Sequence, residues 1–132
     1  GVFILNNVGW KALQEAPKKP LETPAELLEY GPSIVIVTRG GDGCSVYTLK
    51  DSYETSVPAS LRVRFKAIDT TGAGDSFSAG LIKGLLEGWT LKKAISYGQV
   101  AARITCSRIG ATSAFPALRE VDEAMQGIIE GK

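Results

Sequence analysis

Apolar and polar positions alternate along this chain in blocks that change period. Val2 to Asn6 is a short apolar run bounded by Asn6-Asn7 and predicts a strand. Val8 to Glu15 predicts a short helix, closed by Pro17 and Pro20. Thr23-Pro24-Ala25-Glu26 carries a capping-box pattern with Pro in the first helical position, opening a helix that runs to about Tyr30 and stops at Gly31-Pro32. Ile34-Val35-Ile36-Val37 is a continuous β-branched run, the pattern of a strand covered on both faces. Gly40-Gly41-Asp42-Gly43 then Cys44 to Thr48 predict a turn and a returning strand, hence a hairpin. Lys50-Asp51-Ser52 predicts a second turn, and Tyr53 to Val57 an edge strand.

The second half changes character. Leu61, Val63, Phe65 and Ala67 alternate with Arg62, Arg64 and Lys66, which predicts a strand with one wet face. Phe77, Leu81 and Leu85, with Ile82 and Leu86, form an apolar stripe at helical spacing that ends at Gly88. Leu91 to about Ser107 predicts a second helix, with Ala94, Gly98, Ala101 and Ala102 small enough for close helix packing. Gly110 falls in the following loop. Pro116 opens a last helix bearing Leu118, Val121, Met125, Ile128 and Ile129. The order predicts an α/β chain: part of an open sheet with helices on both faces, plus a small antiparallel patch. Ligands in such sheets bind beyond the carboxyl ends of the strands, where Thr38-Arg39-Gly40 and the loop before Gly72 are expected to meet.

Composition narrows the chemistry. The 132 residues suit a single domain spanning 1–132. A net charge of +1 gives no field for DNA, RNA or an acidic membrane. No apolar run approaches the roughly 18–20 residues of a membrane span. The chain has no histidine, so it can build neither a Ser-His-Asp nor a Cys-His pair, nor a Cys/His zinc site. Cys44 and Cys106 match no metal spacing and read as reduced packing residues, in keeping with a cytoplasmic protein. The opening strand reads as already in progress, which suggests a piece of a larger α/β protein.

The densest chemical signal is Asp69-Thr70-Thr71-Gly72-Ala73-Gly74-Asp75, followed by Ser76-Phe77. Small residues sit where a polar loop becomes a helix. The first amides of a helix lack intrahelical partners and, with the helix dipole behind them, favour an anion. Glycine lets that anion approach the backbone, and a neighbouring carboxylate can take a proton from an attacking hydroxyl. The combination points to phosphoryl transfer.

This stretch resembles the C-terminal signature of the PfkB or ribokinase family of sugar and nucleoside kinases. Ile36 to Gly43 looks like that family's Thr-x-Gly-x-x-Gly nucleotide loop, and Ser107-Arg108-Ile109-Gly110-Ala111 like the segment after its adenine-side helix. Asn6 matches the asparagine of an Asn-x-x-Glu motif, with Gly9 standing where the Glu is expected. Family members are about twice this length or longer, so the resemblance covers their C-terminal, nucleotide-binding half. It implies ATP with Mg²⁺ as cofactors and a sugar or nucleoside as acceptor. Asp75 would be the base, and Gly72, Ala73 and Gly74 the anion hole. Asn6, Thr38, Gly40, Gly43 and Gln99 would face the nucleotide. Asp69, Thr71, Thr105, Arg108 and Gly110 would surround a monovalent cation such as K⁺, mostly through carbonyls. A missing N-terminal half or a partner chain, including a homodimer, would complete the acceptor pocket. Gly9 should weaken organisation of Mg²⁺.

Plainer roles stand beside these. Gly40 to Gly43 serves a hairpin, Asn6 a strand-end cap, Gln99 a helix surface, and Arg108 a solvated helix end. Trp10 and Trp89 suit the core or its rim. Gly9 and the short length also suit a non-catalytic nucleotide-binding or assembly module, a truncated or decayed kinase.

Overall fold

The computed structural model describes residues 1–40, 43–109 and 116–130, with residues 127–130 described by backbone alone. The chain divides into two compact units, Gly1–Thr55 and Ser56–Lys132.

The first unit is a four-stranded sheet in the order β1 (Val2–Asn6), β2 (Ile34–Thr38), β3 (Cys44–Thr48), β4 (Ser52–Thr55). β1 and β2 run parallel, with Val2 opposite Ile34 and Asn6 opposite Thr38. A parallel pair needs a crossover. Here it contains α1 (Asn7–Gln14), which packs on β1 and β2, and a 3₁₀ helix (Pro24–Tyr30), which packs on β2 and β3. The expected capping box forms: Thr23 Oγ1 accepts from the Ala25 amide at 3.3 Å, and Glu26 Oε2 accepts from the Thr23 amide at 3.0 Å. β2 is the centre of the unit, with Val35 and Ile36 fully buried and Val37 nearly so. Successive residues of a strand face opposite sides, so burial of three in a row covers both faces. β3 and β4 follow as antiparallel hairpins.

The second unit is helical: α2 (Ala59–Arg64), α3 (Ala73–Leu86), α4 (Leu91–Cys106) and α5 (Leu118–Glu130). Its core joins Val57 and Leu61 to Tyr97, Val100, Ala101 and Ile104 of α4 and to Val121 and Ala124 of α5. α3 and α4 pack antiparallel at very short range. A Cβ on Gly80 would lie 2.8 Å from the Gly98 Cα, and one on Gly84 would lie 2.6 Å from the Ala94 Cβ. Only glycine permits that approach.

Four expectations change. The stretch from Leu61 is a helix and not a strand. Leu61 and Phe65 lie four residues apart and share the core side, while Val63 is 70% exposed. The carbonyls at the end of α2 are held by Arg103, whose Nε donates to Phe65 O at 2.6 Å and whose Nη2 donates to Arg62 O at 2.9 Å. On α3 the seam is the small row Ser76-Gly80-Gly84, flanked by Phe77 and Leu81, which are buried as expected, whereas Leu85, Ile82 and Leu86 of the expected stripe are exposed. Gln99 is buried, because α4 is covered on every side from Tyr97 to Ala101. The last helix begins at Leu118, two residues beyond Pro116.

Candidate functional site

The turn at Gly72 is built by backbone conformation. Gly72 has φ +80°, in the left-handed region that favours glycine, and stands at the N-cap of α3. The Ala73 amide donates to Thr70 O at 3.1 Å, and the Ser76 amide donates to Gly72 O at 3.0 Å, which closes the first helical turn. No side chain caps this helix. Among the described residues the amides of Gly74 and Asp75 have no acceptor, so they are the open donors of the first turn, with Ala73's already engaged. Gly74 and Asp75 are exposed. Gly74 has no conformational need to be glycine, and a Cβ there would meet nothing within 4 Å.

The loop ahead of this turn is held tightly. Asp69 Oδ1 accepts from the Thr71 amide at 2.9 Å and from Thr71 Oγ1 at 2.6 Å. The amides of Ile68 and Asp69 both donate to Cys106 O, at 2.7 and 3.0 Å, which docks the loop on the end of α4. Behind the turn, the buried hydroxyls of Ser76 and Thr105 lie 2.6 Å apart. A cavity of about 120 Å³ behind Ser76 is lined by apolar groups of α3, α4 and α5. It is smaller than the several hundred Å³ of a ligand pocket.

Of the residues expected around a cation, Asp69, Thr71, Thr105 and Arg108 come from the docked loop and the end of α4, and Gly110 lies outside the described residues. Thr105 O accepts from the Arg108 amide at 3.1 Å. Arg108 is not a solvated helix end. Its guanidinium pairs with Glu120, Nη1 to Oε1 at 3.1 Å and Nη2 with Oε2, and Glu120 Oε1 also accepts from the Ala117 amide. The Arg108 hydrogen bond holds the Glu120 carboxyl below its usual range, and Glu120 raises Arg108 in turn. Among the described residues there is no group of three or more His, Cys, Asp or Glu able to hold a metal.

In the first unit, Asn6 and Thr38 end the parallel pair β1 and β2 side by side. Asn6 Oδ1 accepts from the Gly9 amide at 2.8 Å and caps α1, so the plainer role of Asn6 is present. Thr38 Oγ1 lies 3.5 Å from Leu5 O. Gly40 and Gly43 both have positive φ, 56° and 95°, and the Arg39 amide donates to Gly43 O at 2.8 Å. Gly41 and Asp42 lie outside the described residues. Arg39 reaches across the hairpin to Ser45 and Glu54.

Neither cysteine is a candidate nucleophile. Neither is in a disulfide among the described residues; burial pushes the Cys44 thiol up to about 11 against the opposing pull of Arg39, and burial also raises Cys106. The side chains that motif spacing did not single out are Ser76 as a partner of Thr105, and Arg103. Their partners lie 29 and 38 to 41 residues away, beyond any local pattern.

The family described as pfkB family carbohydrate kinase matches residues 4–118. The 5-dehydro-2-deoxygluconokinase of Geobacillus thermodenitrificans is 35% identical over 109 residues, which is 81% of this chain and 31% of that protein. Inositol 3-kinase of Arabidopsis thaliana is 46% identical over 76 residues, 58% of this chain and 20% of that protein. The crystal structure of ribokinase from Thermotoga maritima superposes with a TM-score of 0.85 at 29% identity, covering 95% of this chain and 42% of that one. An Arabidopsis thaliana ribokinase complexed with ribose and ATP shares the fold, with a TM-score of 0.78 at 23% identity over 95% of this chain and 40% of that one. The chain spans about a third of the length of the curated relatives it matches, 31% of the first.

Proposed function

The chain belongs to the pfkB family of carbohydrate kinases, and from that premise we propose that the protein transfers the γ-phosphoryl group of ATP to a hydroxyl of a sugar or nucleoside. One observation carries the proposal. Gly74 is glycine where the fold asks for none, beside the unsatisfied amides of an uncapped helix and the exposed carboxylate of Asp75. A helix interior prefers alanine to glycine by up to about 1 kcal/mol, so a bare position in a first turn has another use. Close approach of an anion to the backbone is that use.

In this reading the acceptor hydroxyl attacks the γ-phosphorus as the bond to the β-bridging oxygen breaks and ADP leaves. Asp75 takes the hydroxyl proton. The amides of Gly74 and Asp75 donate to the phosphoryl oxygens, whose charge must be stabilised where it develops. Positioning and electrostatics do most of the work in such transfers. Asn6, Thr38, Gly40 and Gly43 of the first unit serve the nucleotide through strand-end and loop backbone. Arabidopsis ribokinase binding ribose and ATP, and an Escherichia coli putative ribokinase II binding ATP and Mg²⁺, support a nucleotide role. α1 has no acid in its first turn, and the described residues hold no group of three or more His, Cys, Asp or Glu, so Mg²⁺ would be held chiefly by the nucleotide phosphates and water. No step here is therefore routed through the metal.

The test is the intact protein assayed with ATP against sugars and nucleosides, wild type beside Asp75→Asn. We expect the variant to lose about 10²–10⁴-fold in kcat while binding ATP within about threefold of wild type. Equal turnover would remove Asp75 from the chemistry. ATP binding by a wild type that phosphorylates no acceptor would favour a non-catalytic nucleotide-binding module.

A further inference from the structure

Ser76 follows Asp75 on the buried side of α3, and Thr105 is completely buried near the end of α4. Their hydroxyls are 2.6 Å apart, and Thr105 Oγ1 lies 3.0 Å from Ala101 O. A carbonyl can only accept, so the single Thr105 proton goes to Ala101. Thr105 Oγ1 then accepts from Ser76, and the bonds run in one direction, Ser76 to Thr105 to Ala101. The core has no need of this arrangement. A net hydrogen bond is worth only about 1 kcal/mol, and replacing both partners by apolar groups of the same shape is nearly neutral.

What the bond adds is direction. Glycine contacts at Gly80 and Gly84 set how close α3 comes to α4, and a hydrogen bond, which needs a particular distance and angle, adds a fixed orientation to that approach. Ser76 is bonded at both levels: its amide closes the first turn on Gly72 O, and its side chain is pinned to Thr105. The next residue of α4, Cys106, holds the other side of the loop through the Ile68 and Asp69 amides. Two neighbouring residues of α4 thus grip the phosphoryl-transfer turn upstream and downstream.

We propose that Thr105 is a positioning residue for that turn, acting through Ser76 to aim the Gly74 and Asp75 amides and the Asp75 carboxylate; the inference rests on the function proposed above. The experiment compares Thr105→Val, Thr105→Ser and Ser76→Ala in the intact protein. Each is read by kcat and KM for ATP, by Tm, and by the amide resonances of Gly74 and Asp75. Thr105→Val and Ser76→Ala should lower kcat about tenfold or more with KM changed less than about threefold, since small misplacements act on the reacting geometry. Both should shift the two amide resonances. Thr105→Ser keeps the hydroxyl and loses a methyl, so its kcat and resonances should return toward wild type even though its Tm falls. Loss of kcat that follows Tm through all three variants, or resonances that stay in place, would overturn the proposal. If the wild type phosphorylates no acceptor, the kinase reading fails by itself. The resonances then still decide the tether: movement in Ser76→Ala and Thr105→Val with recovery in Thr105→Ser supports it, and their constancy refutes it.

Discussion

The exposed first turn of α3 and its packed seam use glycine for opposite reasons. At Gly80 and Gly84 the backbone of α4 occupies the space a side chain would need, and Gly98 answers from the other helix, where a Cβ would lie 2.6 Å from Phe77 O. At Gly74 the space is empty. Residue type alone does not distinguish them; surroundings do. Packing explains the glycines at 80 and 84; at Gly74 packing asks for nothing, and the proposed approach of an anion is what would use the bare backbone there.

The comparison can be broken first at its packed end. Gly98→Ala should destabilise the chain by roughly 1–3 kcal/mol, because the new methyl meets backbone that cannot yield. Chemical denaturation would show it, and unchanged stability would mean that the helices are not in close contact. A smaller effect of opposite sign is expected at Gly9 in α1. A Cβ there meets Asn6 Oδ1 at 3.4 Å and Leu5 Cβ at 3.7 Å, which is ordinary contact. Gly9→Glu should therefore add about 0.5–1 kcal/mol through helix propensity, with an acid in a first turn that has none. A lower urea midpoint would show that glycine is needed there.

The smallest effect concerns the far end of α4. Glu120 has a lowered value in the folded state, so its pairing with Arg108 contributes above the ordinary carboxylate range and is lost as pH falls through that lowered value. The pair is partly exposed, 33% and 39%, and is worth less than about 1 kcal/mol. Glu120→Gln should flatten the acid limb of Tm against pH by that amount. An acid limb as steep as wild type would assign the loss to other carboxylates.

Much of this was legible from local pattern. The β-branched run at Ile34, the capping box at Thr23 and the glycine turn at Gly72 each encode their conformation within a few residues. What was not legible depends on distant partners. Alternation at Leu61 to Ala67 fits a strand and a short helix equally until Arg103, from across the unit, donates to the Arg62 and Phe65 carbonyls at the helix end. Of the apolar stripe of α3, Phe77 and Leu81 are buried as expected while Ile82, Leu85 and Leu86 are exposed, and the rest of the buried face is Ser76, Gly80 and Gly84. Hydrophobic periodicity cannot see a seam made of small residues. The candidate site was readable as a motif, Gly72 to Asp75. Which amides remain open became visible only with the Thr70 carbonyl in place beneath Ala73.

The most direct measurement is Gly74→Ala in the intact protein, with Tm and ATP-dependent phosphorylation read on one preparation. Tm should equal or exceed that of wild type, since the methyl has room and alanine favours the helix by up to about 1 kcal/mol. Phosphoryl transfer should fall at least about tenfold, because the methyl would stand in the proposed path of the anion. Wild-type transfer in a protein of unimpaired stability would contradict that path.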